Sequence, residues 1–72
     1  MKTSYKKLWK LLIDKDMSKA ELHKLAGLSS STMTKLRHGE DVSMSALRKI
    51  CVVLSCNISD IVEFVVDVDE EQ

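Results

Sequence analysis

The chain has 72 residues, with 44% hydrophobic and 31% charged residues and a formal net charge of zero. This length predicts one small domain over residues 1–72 that can fold unaided, and the composition excludes a disordered protein. The chain has no proline and only two glycines, which favours helices, and its apolar runs are too short to cross a membrane.

The cysteines and the N-terminal segment indicate the compartment and the chemistry. Lys10 interrupts the apolar run that a signal peptide needs, so we expect a cytoplasmic protein with Cys51 and Cys56 as reduced thiols. Neither cysteine has a histidine at metal-ligand spacing, and there is no glycine-rich phosphate loop or nucleophile motif. The sequence therefore predicts no metal, no cofactor, no small-molecule ligand and no enzyme activity.

The first predicted helix begins after Ser4, which is a possible N-cap. Apolar residues recur at helical spacing along it, at Tyr5, Leu8, Trp9, Leu12 and Ile13. This wide stripe predicts a helix that is mostly packed, with Trp9 in the core or an interface rather than in a ligand site.

Two short capped helices follow, joined by a tight turn. Ser18 and the acid three residues after it form a capping box for the second helix. Gly27 is suited to the left-handed turn that ends this helix, Ser29 caps the third helix, and Gly39 ends it. This pattern, over residues 18–39, predicts a helix-turn-helix.

The last two predicted helices are capped by Ser43 and Asn57. The fourth carries a stripe spaced i, i+3, i+4 and i+7, formed by Leu47, Ile50, Cys51 and Leu54. We expect the fifth helix to end near Glu63 or Phe64. Five helices with consistent caps and stripes predict a compact bundle.

The segment after the fifth helix is dense in β-branched residues, so residues 65–68 are expected to be extended. A strand there needs a partner, which residues 1–3 or the same segment of a second subunit could supply. Residues 67–72 carry four acids and are expected to form a frayed, solvated tail.

The neutral net charge conceals a division of the chain. Residues 1–39 hold nine Lys or Arg and three acids, a net charge of +6, whereas residues 40–72 have a net charge of −6. The predicted helix-turn-helix thus lies in the basic half, where a phosphate backbone would be attracted.

The motifs ELxxxAGLS (residues 21–29), STMTKLRHG (31–39) and ALRKICVVLSCNISDIVEF (46–64) resemble the Cro/cI-type, or XRE-family, helix-turn-helix regulators. The similarity extends from about Tyr5 to Phe64 and is greatest to short stand-alone members. It implies an all-α, five-helix, lambda-repressor-like domain, to which the terminal β pairing would be an addition. It also implies DNA binding through the third helix and a two-fold dimer.

The resemblance also implies which residues touch DNA, since a helix in the major groove offers its first turns to the bases. The implied base-reading residues are Ser30, Ser31, Thr34 and Lys35. Lys35 could bind guanine or a phosphate, and the sequence does not separate these. The implied phosphate contacts are Ser18, Lys19, Ser29, Arg37, His38 and Ser43.

The sequence thus predicts a regulator that binds specific double-stranded DNA, as a repressor and as a homodimer on an inverted repeat. Apolar residues left over from the core stripes form the predicted interface, namely Val52, Phe64 and Val66. Two alternatives stay open. One is a protein-interaction module of the same fold, of antitoxin or antirepressor type, and the other is a non-specific nucleic-acid binder.

Overall fold

A computed structural model describes residues 1–66 and contains four α-helices and one antiparallel pair of short strands. The elements in chain order are β1 (Lys2–Ser4), α1 (Lys6–Asp14), α2 (Lys19–Ala26), α3 (Ser30–Arg37), α4 (Met44–Leu54) and β2 (Glu63–Val65). In this part of the chain no helix has the length and hydropathy to cross a membrane. The predicted acidic tail, residues 67–72, lies outside the described residues.

Three of the four helices begin at the predicted serine caps. The hydroxyl oxygens of Ser18, Ser29 and Ser43 each accept a hydrogen bond of 3.1 Å from the backbone N–H three residues later. At α2 the Glu21 carboxylate also accepts from the Ser18 backbone N–H at 3.0 Å, which completes the capping box. Because an N-cap typically contributes about 1 kcal/mol, local sequence defines these helix starts well.

The predicted Ser4 cap of α1 is wrong. Tyr5 occupies the N-cap position without a side-chain cap bond, and Ser4 lies in β1. The Ser4 hydroxyl accepts only one long bond, 3.4 Å from the Lys6 backbone N–H. The reason is tertiary, because Ser4 pairs with Glu63 in the strand ladder and the Tyr5 side chain is buried.

The helices pack around one apolar core, and both Met33 and Leu36 of α3 face it as predicted. The α4 stripe is buried at Leu47, Ile50 and Leu54, while Cys51 is half-buried against the core. Trp9 likewise packs partly against the core, but Ile13 is 76% exposed. The expected place of Ile13 in the stripe is wrong because the buried line of α1 runs through Leu8 and Leu12, and the next residue lies about 100° around the helix.

The predicted fifth helix is instead one turn of 3-10 helix, Ile58–Asp60. Its start was located correctly, because Asp60 Oδ2 accepts a hydrogen bond from the Asn57 backbone N–H at 3.0 Å. The chain then becomes extended at Glu63, two residues before the predicted strand. Pairing with β1 explains the early change, since backbone hydrogen bonds of a ladder replace those of a helix.

The two strands join the ends of the described chain. Their register pairs Lys2 with Val65, Thr3 with Phe64, and Ser4 with Glu63. The expected strand pairing of the N-terminal residues therefore occurs within one chain. The fold is mostly helical, with a terminal two-stranded ribbon beside the C-terminal end of α3.

Candidate nucleic-acid interface

The helix-turn-helix places one polar face of α3 on the surface. Leu22 and Ala26 of α2 and Met33 and Leu36 of α3 are buried, which fixes the orientation of both helices. The opposite face of α3 is exposed at all four predicted base-reading positions, Ser30, Ser31, Thr34 and Lys35. Their spacing of i, i+1, i+4 and i+5 places them together on one side of the helix.

Most of this face has no partner inside the protein. The Thr34 hydroxyl donates to the Ser30 carbonyl oxygen at 3.0 Å, which orients it along the helix. Among residues 1–66, no hydrogen bond or ion pair engages the side chains of Ser30, Ser31 and Lys35. These groups are therefore available to an external ligand.

The predicted phosphate contacts divide into caps and cations. The hydroxyls of Ser18, Ser29 and Ser43 hold their own helix starts, and Ser29 also donates to the Thr32 hydroxyl at 2.9 Å. What these helices can offer an anion is thus mainly the backbone N–H groups of their first turns. The cations of the set, Lys19, Arg37 and His38, are all exposed.

Lys19 has a partner that sequence reasoning missed. Its Nζ lies over the ring of Trp9, 4.3 Å from the centroid, in cation–π geometry. The contact crosses the turn between α1 and α2, and no local sequence pattern indicates it. Trp9 therefore restricts where the Lys19 charge lies at the start of α2.

The loop between α3 and α4 is held by the N-terminal residues. The Tyr5 hydroxyl donates to the Glu40 carbonyl oxygen at 2.7 Å, and the Thr3 hydroxyl donates to Asp41 Oδ1 at 2.7 Å. Burial, and secondarily the Asp41 carboxylate, raises the pKa of Tyr5 above its usual value, so the phenol stays protonated as a donor. These bonds fix the loop that leads from Arg37 towards Ser43.

Gly39, which ends α3, has φ = +72°, and a Cβ there would lie 3.4 Å from the Thr3 carbonyl oxygen. Glycine thus allows both the left-handed turn and the close approach of β1 to the end of α3. The ribbon and the recognition helix are consequently neighbours, which the sequence did not predict.

The three predicted interface residues are exposed, with Val52 at 73%, Phe64 at 68% and Val66 at 52%. Phe64 lines an apolar groove of about 770 Å³ together with Met1, Met44, Ile58 and Val62, among others. Val52 does not line this groove and lies on the outer side of α4. The structure therefore places Phe64, but not Val52, in a concave apolar surface.

Comparison with known proteins matches nearly the whole described chain. The family profile of the Cro/C1-type HTH DNA-binding domain matches residues 7–67, a range that contains almost all of α1 and every later element. The chain is also similar to a solved structure, the transcriptional regulator VanUg in crystal form II. The two share 48% sequence identity with a TM-score of 0.89, over 92% of this chain and 88% of that chain. No curated protein sequence matches significantly.

Proposed function

Because the chain belongs to the Cro/C1-type helix-turn-helix DNA-binding family, we propose that it is a transcriptional regulator that recognises a short double-stranded DNA sequence through α3. The observation that carries the proposal is the exposed polar face of α3. Lys35 and the two serines there have no partner within the described residues, while Met33 and Leu36 anchor the helix in the core.

The chemistry of this face determines how DNA would be read. Lys35 can donate to the O6 and N7 of guanine, which is a specific contact in the major groove. The hydroxyls of Ser30, Ser31 and Thr34 donate and accept, so they discriminate less between bases. Base specificity therefore rests on few contacts, and phosphate contacts supply most of the affinity.

A single reading helix of eight residues covers few base pairs, so we propose a homodimer on an inverted repeat. A two-fold dimer places two recognition helices about 34 Å apart in successive major grooves. The exposed apolar residues Phe64 and Val66, with Val52 as a further candidate, support a self-complementary interface. Occupying a promoter in this way blocks polymerase, so repression is the mode we propose.

Titration of labelled duplexes at several salt concentrations tests the proposal. The duplexes are the region upstream of the protein's own gene and a randomised pool, each between about 50 and 200 mM salt. A specific regulator should show a salt slope from several phosphate contacts together with preference for one sequence. A slope without preference would indicate a non-specific nucleic-acid binder. Absence of binding at low salt would favour the protein-interaction module.

A further inference from the structure

A basic cleft of about 460 Å³ lies between the terminal ribbon, the start of α1 and the C-terminal end of α3. We define this basic cleft by the four cationic or titratable side chains in its lining, Lys2, Lys6, Arg37 and His38. The lining, which falls within residues 1–66, includes one acid, Glu63. The cleft thus gathers basic groups from three elements that are far apart in sequence.

These groups are not neutralised internally. All four are exposed, and in the described part of the chain no ion pair or side-chain hydrogen bond joins any of them to Glu63 or to another residue. Concave surfaces lined by one sign of charge concentrate the field and attract counter-ions. The ligand class that fits is therefore anionic.

The basic cleft is continuous with the predicted DNA surface. His38 follows Thr34 by four residues, so it lies on the reading side of α3, beyond the last turn. Trp9 also lines the cleft, and its ring carries the Lys19 ammonium at 4.3 Å. A row of positive groups thus passes from the start of α2, across Trp9, to Arg37 and the ribbon.

We propose that the basic cleft binds phosphates of the DNA strand flanking the bases read by α3, through contacts of Lys2 and Lys6 that the helix-turn-helix does not supply. This inference rests on the proposed function. The cleft suits a backbone that runs past it better than an enclosed small anion, because the cationic groups in its lining are exposed and no buried polar donor is left unpaired in the described chain. Such contacts add affinity without sequence preference, since lysine meets phosphate as a point charge.

The double variant Lys2→Ala/Lys6→Ala tests the cleft. Binding should weaken by a similar factor for every sequence, and the slope of log K against log salt should fall by nearly two, about 0.9 for each lost contact. The matched control is Lys10→Ala/Lys15→Ala, which removes the same charge from a separate groove that also contains Asp14 and Asp60. Its slope should fall by less than one. Thermal melting by circular dichroism verifies that both variants fold.

Trp9 is the only tryptophan of the chain, so its fluorescence reports directly on the cleft. A duplex extended beyond the outer end of the recognised sequence should change Trp9 emission more than one truncated there. A double variant that keeps the wild-type salt slope overturns this inference and leaves the proposed function intact. A wild-type protein that binds no DNA at low salt overturns both. Saturable quenching by inorganic phosphate alone, with an unchanged slope in the variant, would identify a small-anion site instead.

Discussion

At the residue scale, Lys35 is the most informative side chain of the reading face. It is exposed, positively charged and without an internal partner in the described residues, so its contribution depends on what it meets outside the protein. The alternatives from sequence, guanine or phosphate, differ in a measurable way because only a base contact changes sequence preference.

We predict that Lys35→Ala lowers affinity for the preferred duplex by about 1–3 kcal/mol and relaxes the preference at one or two base pairs. Lys19→Ala, with the same change in charge, should weaken binding to all sequences about equally. Binding curves on a set of single-base-pair variants of the preferred duplex measure both effects. Wild-type binding by the Lys35 variant would show that the reading face has been placed wrongly.

Tyr5 illustrates what a single residue's sequence context does not reveal. Its spacing indicated a member of the α1 stripe, and it is indeed buried, with 3% of its side chain exposed. Its hydroxyl, however, holds Glu40, a residue 35 positions away. No local pattern contains that partner, since the approach depends on the end of α3 packing beside β1.

At the scale of elements, the helix ends separate what glycine determines from what packing imposes. α2 ends at Gly27 in the left-handed region, as predicted. α1 and α4 end in the same way at non-glycine residues, Asp16 with φ = 56° and Ser55 with φ = 52°. After α4 the Cys56 backbone N–H donates to the Cys51 carbonyl oxygen at 3.1 Å, which is the hydrogen bond of a Schellman turn.

Ser55→Gly should therefore stabilise the protein by about 1 kcal/mol, because glycine adopts the left-handed conformation without a Cβ penalty. The gain is partly offset by the larger entropy of the unfolded chain. Urea unfolding measures the change. The control is Lys49→Gly at an exposed position inside α4, which should lower stability by a similar amount. Destabilisation by both variants would contradict the role given to the turn.

The predicted fifth helix is the clearest case of tertiary structure overriding local pattern. The Asn57 cap and an apolar spacing of three and four residues favour a helix, yet only Ile58–Asp60 forms a turn. Beyond it Ile61 is fully buried and the next residues enter the strand ladder with β1. The β-branched composition indicated extension, but the residue at which it begins depends on a partner strand at the other end of the chain.

At the scale of the whole molecule, the apolar groove at Phe64 bears on assembly. Met1, Met44, Ile58 and Phe64 in its lining are all exposed, and a two-stranded ribbon of three residues each is a small structure on which to display them. A homodimer that buries this surface would bring both together.

We predict that the wild-type chain is a dimer by gel filtration with light scattering and that Phe64→Ser makes it a monomer at the same concentration. DNA affinity should fall with it, because one recognition helix then replaces two. Ile13→Ser is the matched control, since Ile13 is equally exposed but lies at the end of α1 and outside the groove lining. A Phe64→Ser variant that remains dimeric would place the interface elsewhere, with Val52 as the next candidate.

Sequence alone determined the helix starts, the turn at Gly27, the buried residues of α3 and α4, and the exposed face with Lys35. These features depend on caps and periodicity, which act over three or four residues. Only tertiary structure decided that Asn57 opens a single turn, that Tyr5 and Thr3 hold the α3–α4 loop, that Lys19 lies over Trp9, and that the ribbon completes the basic cleft. Each of these depends on contacts between distant segments, whose geometry is set when the shared core is packed.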